Sequence, residues 1–279
     1  MHAVSEPGSP QGERETSDGV RLAMWSGPRN ISTALMRSWE NRPDTRVVDE
    51  PLYAYYLSET GLDHPGRDKV IAAGETSWQV VVDELTAPVQ GIYYQKHMTH
   101  HLIPQLPRDW ITSLTNVLLI RDPAEVVASY VRSRADVFAE DIGLVQQNEL
   151  YEQLGADAPV IDAADFLRNP EGYLRWLCDY IDVEFTERML HWPAGPRDSD
   201  GVWAPYWYSA VLASTGFQPY RSRQIELTGA AREAAQRSRP HYERLHAARL
   251  RLSRVPRAIR QMRSPVTRGG TSSPTIGEH

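Results

Sequence analysis

Lysine is almost missing from this sequence. Of 30 basic residues only Lys69 and Lys96 are lysines, and the other 28 are arginines. Codon usage in a GC-rich genome explains such a bias, yet it makes each lysine a residue worth accounting for. Cysteine is scarcer still. Cys178 stands alone, so neither a disulfide framework nor a cysteine zinc cluster can form within the chain. Long apolar runs are absent too. The longest are about four residues, as in Val117–Ile120, against the roughly 20 that a membrane-spanning helix needs. There is no basic excess: 36 acidic residues leave a net charge of −6, which argues against bulk nucleic-acid binding. Residues 1–19 hold no apolar core of the kind a signal peptide carries, so a cytoplasmic protein is expected.

What is present reads as a globular α/β protein. Hydrophobic residues make up 41% and charged residues 24%, which excludes disorder throughout and fibrous repeats. The 279 residues suit one domain of about 230–250 residues with loose ends. Residues 1–19 and 264–279 are rich in Gly, Pro and Ser and read as disordered tails, leaving a domain over 20–263. Its last part, 221–263, is basic, with 12 arginines against three glutamates. Thr228–Arg254 reads as helical and bent at Pro240. We take it for a solvated helix that balances an acidic body, in preference to a dedicated anion-binding arm.

Short apolar strands alternate with helical patterns. Strands are expected at Leu22–Ser26, Arg46–Glu50, Ile92–Met98, Asn116–Arg121 and Val160–Asp162, with a helix over Ile31–Glu40. Asp122-Pro123-Ala124-Glu125 carries a cap, an N1 proline and a capping-box glutamate for a second helix. Asn169-Pro170 opens a third, through Ile181, with Leu174, Leu177, Cys178 and Ile181 on one stripe. The alternation predicts a mostly parallel sheet flanked by helices, whose ligands bind beyond the carboxyl ends of the strands. That rule directs attention to Ser26–Thr33, Asp49-Glu50, Lys96–His101 and Arg121-Asp122.

Ser26-Gly27-Pro28-Arg29-Asn30-Ile31-Ser32-Thr33 joins a strand to a helix, where unpaired N–H groups and the helix dipole suit an anion. Counted from Gly27, the second glycine of an ATP-binding phosphate loop falls on Ser32, its lysine on Thr33 and its magnesium hydroxyl on Ala34. All three are lost, which counts against a metal-dependent ATPase or kinase. A second element is Arg121 at a strand end with Ser129 early in the next helix. The pair suits another phosphate, and the competing role for Arg121 is an ion pair with Asp122 or Asp49.

Together these elements resemble the sulfotransferases that use 3′-phosphoadenylyl sulfate (PAPS). In that family a Pro-Lys/Arg-Ser-Gly-Thr-Thr loop binds the 5′-phosphosulfate, and Pro28–Thr33 occupies its slot. A later Arg-Asp/Asn-Pro, with Ser eight residues after the Arg, binds the 3′-phosphate; Arg121-Asp122-Pro123 with Ser129 has that spacing. Residues 160–185 look like the strand, acidic turn, Asn/Asp-Pro and helix of the family, and the similarity extends over about 21–217. Ile31 departs from the family glycine and Asn30 from its serine. Asp200-Gly201-Val202-Trp203 is a loose counterpart of its late Gly-rich segment.

The resemblance implies a P-loop NTPase-like fold and metal-free transfer of SO₃ from PAPS to a hydroxyl or amine of a small-molecule acceptor. It makes Arg29, Asn30, Ser32, Thr33, Arg121 and Ser129 the nucleotide ligands. Lys96, at the end of the third strand, is the candidate to hold the sulfuryl or bridging oxygen; the competing reading is a surface lysine. A base should take the acceptor's proton. His97 is preferred by its closeness to the strand end, His100 and His101 follow it, and Glu50 is the rival. His97 and His101 also have a metal-ligand spacing without a third ligand. Tyr53, Tyr55, Tyr56, Trp203, Tyr206, Trp207 and Tyr208 are candidates to line a pocket for an acceptor with an apolar body. The alternatives are a P-loop phosphotransferase, a non-catalytic nucleotide-binding module and, more remotely, a pyridoxal-phosphate enzyme using Lys96. Oligomeric state cannot be read from these residues.

Overall fold

The computed structural model describes residues 19–132 and 137–252. The expected tails lie outside these residues, except that Gly19 belongs to the fold: its N–H donates to the Val89 carbonyl at 3.0 Å. The basic region beyond 252 lies outside them as well.

Five strands, β1 (Val20–Ser26), β2 (Thr45–Asp49), β3 (Ile92–Met98), β4 (Thr115–Ile120) and β5 (Val160–Asp162), form a sheet in the order β2-β3-β1-β4-β5. Every pairing is parallel. Helix α1 (Ser32–Glu40) joins β1 to β2. Helices α2 (Tyr53–Thr60), α3 (Arg67–Ala73) and α4 (Trp78–Thr86) lead to β3. Two 3₁₀ turns, Thr99–His101 and Asp109–Ser113, precede β4. Helices α5 (Pro123–Tyr130), α6 (Ala139–Ile142) and α7 (Leu144–Leu154) precede β5. The chain then forms α8 (Ala163–Arg168), α9 (Pro170–Tyr180), α10 (Ala204–Trp207), α11 (Ser209–Leu212) and α12 (Gly229–Ala247). This is the expected P-loop-like α/β architecture.

The strand order places the site. From central β1 the chain moves outward to β2, returns to β3, then crosses over β1 to β4. A crevice opens at that reversal, at the carboxyl ends of β1, β3 and β4. Helices cover both faces because alternate strand residues point to opposite sides. Leu22, Met24, Ile92, Tyr94, Val117 and Leu119 pack with α1 and α9 on one face. On the other, Ala23, Trp25 and Tyr93 pack with α2 and α4, while Leu118, Ile120 and Val160 pack with α5, α7 and α12.

Local chemistry sets the helix starts. Asp122 Oδ1 accepts from Ala124 N at 2.8 Å, with Pro123 in the first turn. The capping-box role expected of Glu125 is not taken up. Its two oxygens instead accept from Arg121 Nε at 2.9 Å and the Tyr220 hydroxyl at 2.8 Å. Asn169 caps α9 through Gly172 N, and the predicted stripe of Leu174, Leu177, Cys178 and Ile181 is buried. Helix α12 ends earlier than Arg254 and is more than a solvated face. It buries Ala234, Ala235, Ser238, Tyr242 and Leu245. Arg237, Arg239 and Arg244 from it, and Arg249 just beyond, pair with Glu140, Asp122, Glu152 and Asp165. No helix among the described residues is long and apolar enough to cross a membrane.

Candidate active site

A cavity of about 340 Å³ opens at the crevice predicted from the strand order. Part of its lining is cationic. The loop after β1 brings Arg29 into it with a left-handed backbone, φ 54°. Gly27, just before, has to be glycine: a Cβ there would sit 2.2 Å from the Ile142 carbonyl oxygen. Helix α1 begins beside Arg29 without a side-chain cap or an acidic first turn. Its early N–H groups and positive dipole end are therefore left for an anion. Ser32 and Thr33 line the cavity at that helix start.

Arg29 joins the two phosphate elements found in the sequence. Its Nε donates to Ser129 Oγ at 3.1 Å, and its Nη1 to the Trp207 carbonyl at 3.0 Å. Arg121 Nη1 donates to the Arg29 carbonyl at 2.8 Å. The ion pair that competes for Arg121 is made with Glu125 and not with Asp122 or Asp49, which pair with Arg239 and Lys96. Arg29 has no carboxylate partner among the described residues. Burial, then the nearby Arg132 and Arg121 guanidiniums, pull its pKa below the usual value. A polyanion would relieve that repulsion.

Asn30 lines the cavity, with its side-chain amide engaged by backbone. Its Nδ2 donates to the Leu119 carbonyl at 3.0 Å and its Oδ1 accepts from Ile31 N at 2.8 Å. The side chain ties the loop to β4. Ile31, at the family glycine's place, packs against the main core.

The rest of the cavity lining includes aromatic rings and one carboxylate. Glu50 follows β2 in a left-handed conformation, φ 46°. Lys96 is 1% exposed. Its Nζ donates to Asp49 Oδ1 at 2.7 Å, Glu50 Oε1 at 2.6 Å and the Tyr208 hydroxyl at 2.7 Å. It is not a surface lysine, and the three N–H donors of an ammonium are all engaged. Burial raises the Glu50 pKa, Lys96 opposes the rise and Asp49 adds to it.

His97 does not reach this cavity. Residues 96 and 98 share one face of β3, and 97 faces the other side. There its ring stacks on Trp25, centroids 4.1 Å apart, and Nε2 meets Gln95 Oε1 at 3.2 Å. Burial pushes its pKa down to about 3. The preference for His97 as base is corrected on both counts.

His100 and His101 do line the cavity, with His64 from the loop after α2. The Tyr53 hydroxyl and His64 Nδ1 are 2.5 Å apart. His101 stacks on the rings of Tyr53 and Tyr56, at 4.9 and 4.7 Å, and neither of its ring nitrogens has a hydrogen-bond partner among the described residues. Burial holds its pKa well below that of an ordinary imidazole.

Of the other expected aromatics, Tyr53, Trp207 and Tyr208 line the cavity. Tyr55 packs in the core beside Trp25, and Tyr206 is 40% exposed. The loose counterpart of the Gly-rich segment also misses it. Asp200 pairs with Arg37 at 2.5 Å, and Asp200–Trp203 lines a second cavity of about 330 Å³. Residues 214 and 216–218 line the main cavity instead. Sequence reading missed His64, Arg132 and this stretch, none of which carries a motif. Among the described residues no three His, Cys, Asp or Glu side chains are grouped to hold a metal ion.

Residues 20–248 match a family described as "Sulfotransferase domain". The chain belongs to this sulfotransferase domain family. Two Arabidopsis thaliana proteins, branched-chain-amino-acid aminotransferase-like proteins 1 and 2, are 40% and 38% identical to it over 198 residues. That stretch is 69% of this chain and 36% and 35% of theirs, so the sulfotransferase-family chain spans about a third of the length of the curated relatives it matches. Among solved structures, the sulfotransferase domain of the Synechococcus PCC 7002 olefin synthase gives a TM-score of 0.45 at 15% identity, covering 82% of this chain and 98% of that one. A sulfotransferase from Alicyclobacillus acidocaldarius gives 0.45 at 12%, covering 81% and 94%. Both likenesses are too loose to carry residue roles, which rest on the geometry above.

Proposed function

We propose that this chain moves a sulfuryl group from PAPS to a hydroxyl or amine of a small-molecule acceptor with an apolar body. One observation carries the reading: a single cavity is lined both by the α1 start, Arg29, Arg121 and Ser129 and by aromatic side chains with one carboxylate. The cationic part of the lining fits a bisphosphate nucleotide. The donor supplies a sulfur–oxygen bond to a good leaving group. Arg29 and the N–H groups at Ser32 and Thr33 hold the 5′ end and stabilise charge on the departing oxygen. Arg121 and Ser129 hold the 3′-phosphate. The acceptor lies against Tyr53, His101 and Trp207.

Glu50 takes the acceptor's proton as the new sulfur–oxygen or sulfur–nitrogen bond forms and the bond to the departing nucleotide oxygen breaks. Its raised pKa suits that task, because a base works best when its pKa lies near the working pH. Only the ionised carboxylate can act, so turnover falls as pH drops through the raised value.

The rival readings are weaker. A phosphotransferase lacks its loop lysine, and Ala34 stands at the magnesium hydroxyl's place. A Schiff-base lysine must shed its proton, whereas the carboxylates at Lys96 outweigh its burial and raise its pKa. The test is incubation with PAPS and a metabolite library, followed by mass spectrometry. A sulfate mass gain that Glu50→Gln abolishes is expected. Phosphorylated products from Mg-ATP, with none sulfated, would overturn the reading.

A further inference from the structure

We propose that Lys96 and Tyr208 are positioning residues that hold the Glu50 carboxylate against the cavity, and that Lys96 does not itself ligate the sulfuryl group. The inference rests on Glu50 being the proton acceptor, as read above.

Hydrogen counting carries it. The three Lys96 N–H groups go to Asp49, Glu50 and Tyr208. The Tyr208 hydroxyl is equally full. It donates to Asp49 Oδ2 at 2.6 Å and accepts from Lys96 and, at 3.0 Å, from Trp203 Nε1. Asp49 Oδ2 also accepts from Gly201 N at 3.3 Å. To reach a sulfuryl oxygen Lys96 would have to abandon a buried acceptor, and stranding a buried charge is strongly unfavourable.

The backbone points the same way. A glutamate at φ 46° is a strained residue that persists only where its surroundings over-determine it. Lys96 does so twice: its carbonyl accepts from Glu50 N at 2.9 Å and its ammonium holds Glu50 Oε1. The register explains the reach, since Asp49 and Lys96 are direct partners across β2 and β3.

The charges fit a proton acceptor. One ammonium between two carboxylates leaves one negative charge over, and so a place for one proton. Burial raises the Glu50 pKa, while its interactions with Lys96 and Tyr208 lower it. The other groups near Glu50 are Asp49 beside it on β2 and Tyr53 on α2. His64, His100, His101 and Arg29 line the same cavity. Tyr208, between α10 and α11, acts on Glu50 both directly and through the Lys96 ammonium it shares.

The test titrates Glu50 directly, by carbon-13 NMR of carboxyl-labelled glutamate in the intact chain, with Glu50→Gln to assign the signal. Tyr208→Phe should move the midpoint upward by about one pH unit, and Lys96→Met should move it further. PAPS hydrolysis with water as acceptor supplies a second readout, whose acid limb should move with the midpoint. An unmoved midpoint in Tyr208→Phe overturns the proposal. So does a Lys96→Met variant that loses hydrolysis equally at every pH, as loss of a sulfuryl ligand would cause. If Lys96→Met fails to fold, Tyr208→Phe decides. Titration with 3′-phosphoadenosine 5′-phosphate (PAP) reports on the donor reading separately. A wild type without PAP affinity would overturn that reading, while the Glu50 midpoints still test the network.

Discussion

On β3, Lys96 and His97 lie one residue apart and face opposite sides of the sheet. Lys96 enters a polar network at the cavity and stays charged between two carboxylates. His97 enters an apolar layer, stacks on Trp25 and stays neutral. Both are 1% exposed, so burial does not separate them. What separates them is the partner each face supplies: charge on one, an indole on the other. Closeness to a site along the chain is therefore a poor guide on a strand, where the side-chain period is two.

The two faces can be set against each other by mutation. The largest effect is expected from Glu50→Gln, which should lower turnover by about 10²–10⁴, the usual worth of a positioned base. His97→Phe should leave turnover within about twofold of wild type, as expected for a side chain outside the site. Steady-state rates for the two variants check both statements, and the reverse ranking would hand the base back to His97.

The cationic lining comes next. Arg121→Ala should weaken PAP by about 10- to 100-fold, from the loss of charge-assisted hydrogen bonds worth about 1.5–3 kcal/mol. It should weaken adenosine 5′-phosphate far less. Equal weakening of both nucleotides, read by calorimetry, would remove the 3′-phosphate role.

A smaller effect separates the faces by stability. An unfolded His97 takes up a proton near 6.5, as an ordinary imidazole does, whereas the folded one resists until about pH 3. Between those values the unfolded chain binds more protons, so this histidine costs stability as pH falls, by about 1 kcal/mol per pH unit. Urea titrations from pH 7 to 4 should show a shallower decline for His97→Phe than for wild type.

The smallest effect concerns the arginines of α12. Arg239 pairs with Asp122 at about one-third exposure of each side chain, and such pairs contribute about 0–1 kcal/mol. Arg239→Ala should lower Tm by a few degrees at most and leave PAP affinity unchanged, as expected if this helix braces the body and does not bind the anion.

Much of the fold was legible because each strand is a short apolar run closed by a turn or a cap. Ile92–Met98 and Val160–Asp162 have the predicted bounds, and the others shift by one or two residues. The crevice followed from the alternation of strands and helices. The site was legible only in part. Arg29, Ser32, Thr33, Arg121 and Ser129 carry local motifs, and they converge on one cavity. Asn30 kept its place in the motif, but its amide is taken up by backbone, at Ile31 in the loop and at Leu119 on β4. Glu125 exchanged a cap for Arg121 and Tyr220. The bonds of Lys96 were hidden because they depend on β2–β3 register and on a tyrosine 112 positions away, neither of which leaves a local signal.

The central claim is that the carboxyl ends of β1, β3 and β4 build a metal-free site for a bisphosphate nucleotide. Calorimetric titration of the intact chain with PAP in the presence of EDTA tests it most directly. The account predicts saturable one-to-one binding that magnesium does not strengthen, and that exceeds binding of Mg-ATP. No binding of PAP alongside firm binding of Mg-ATP would contradict it.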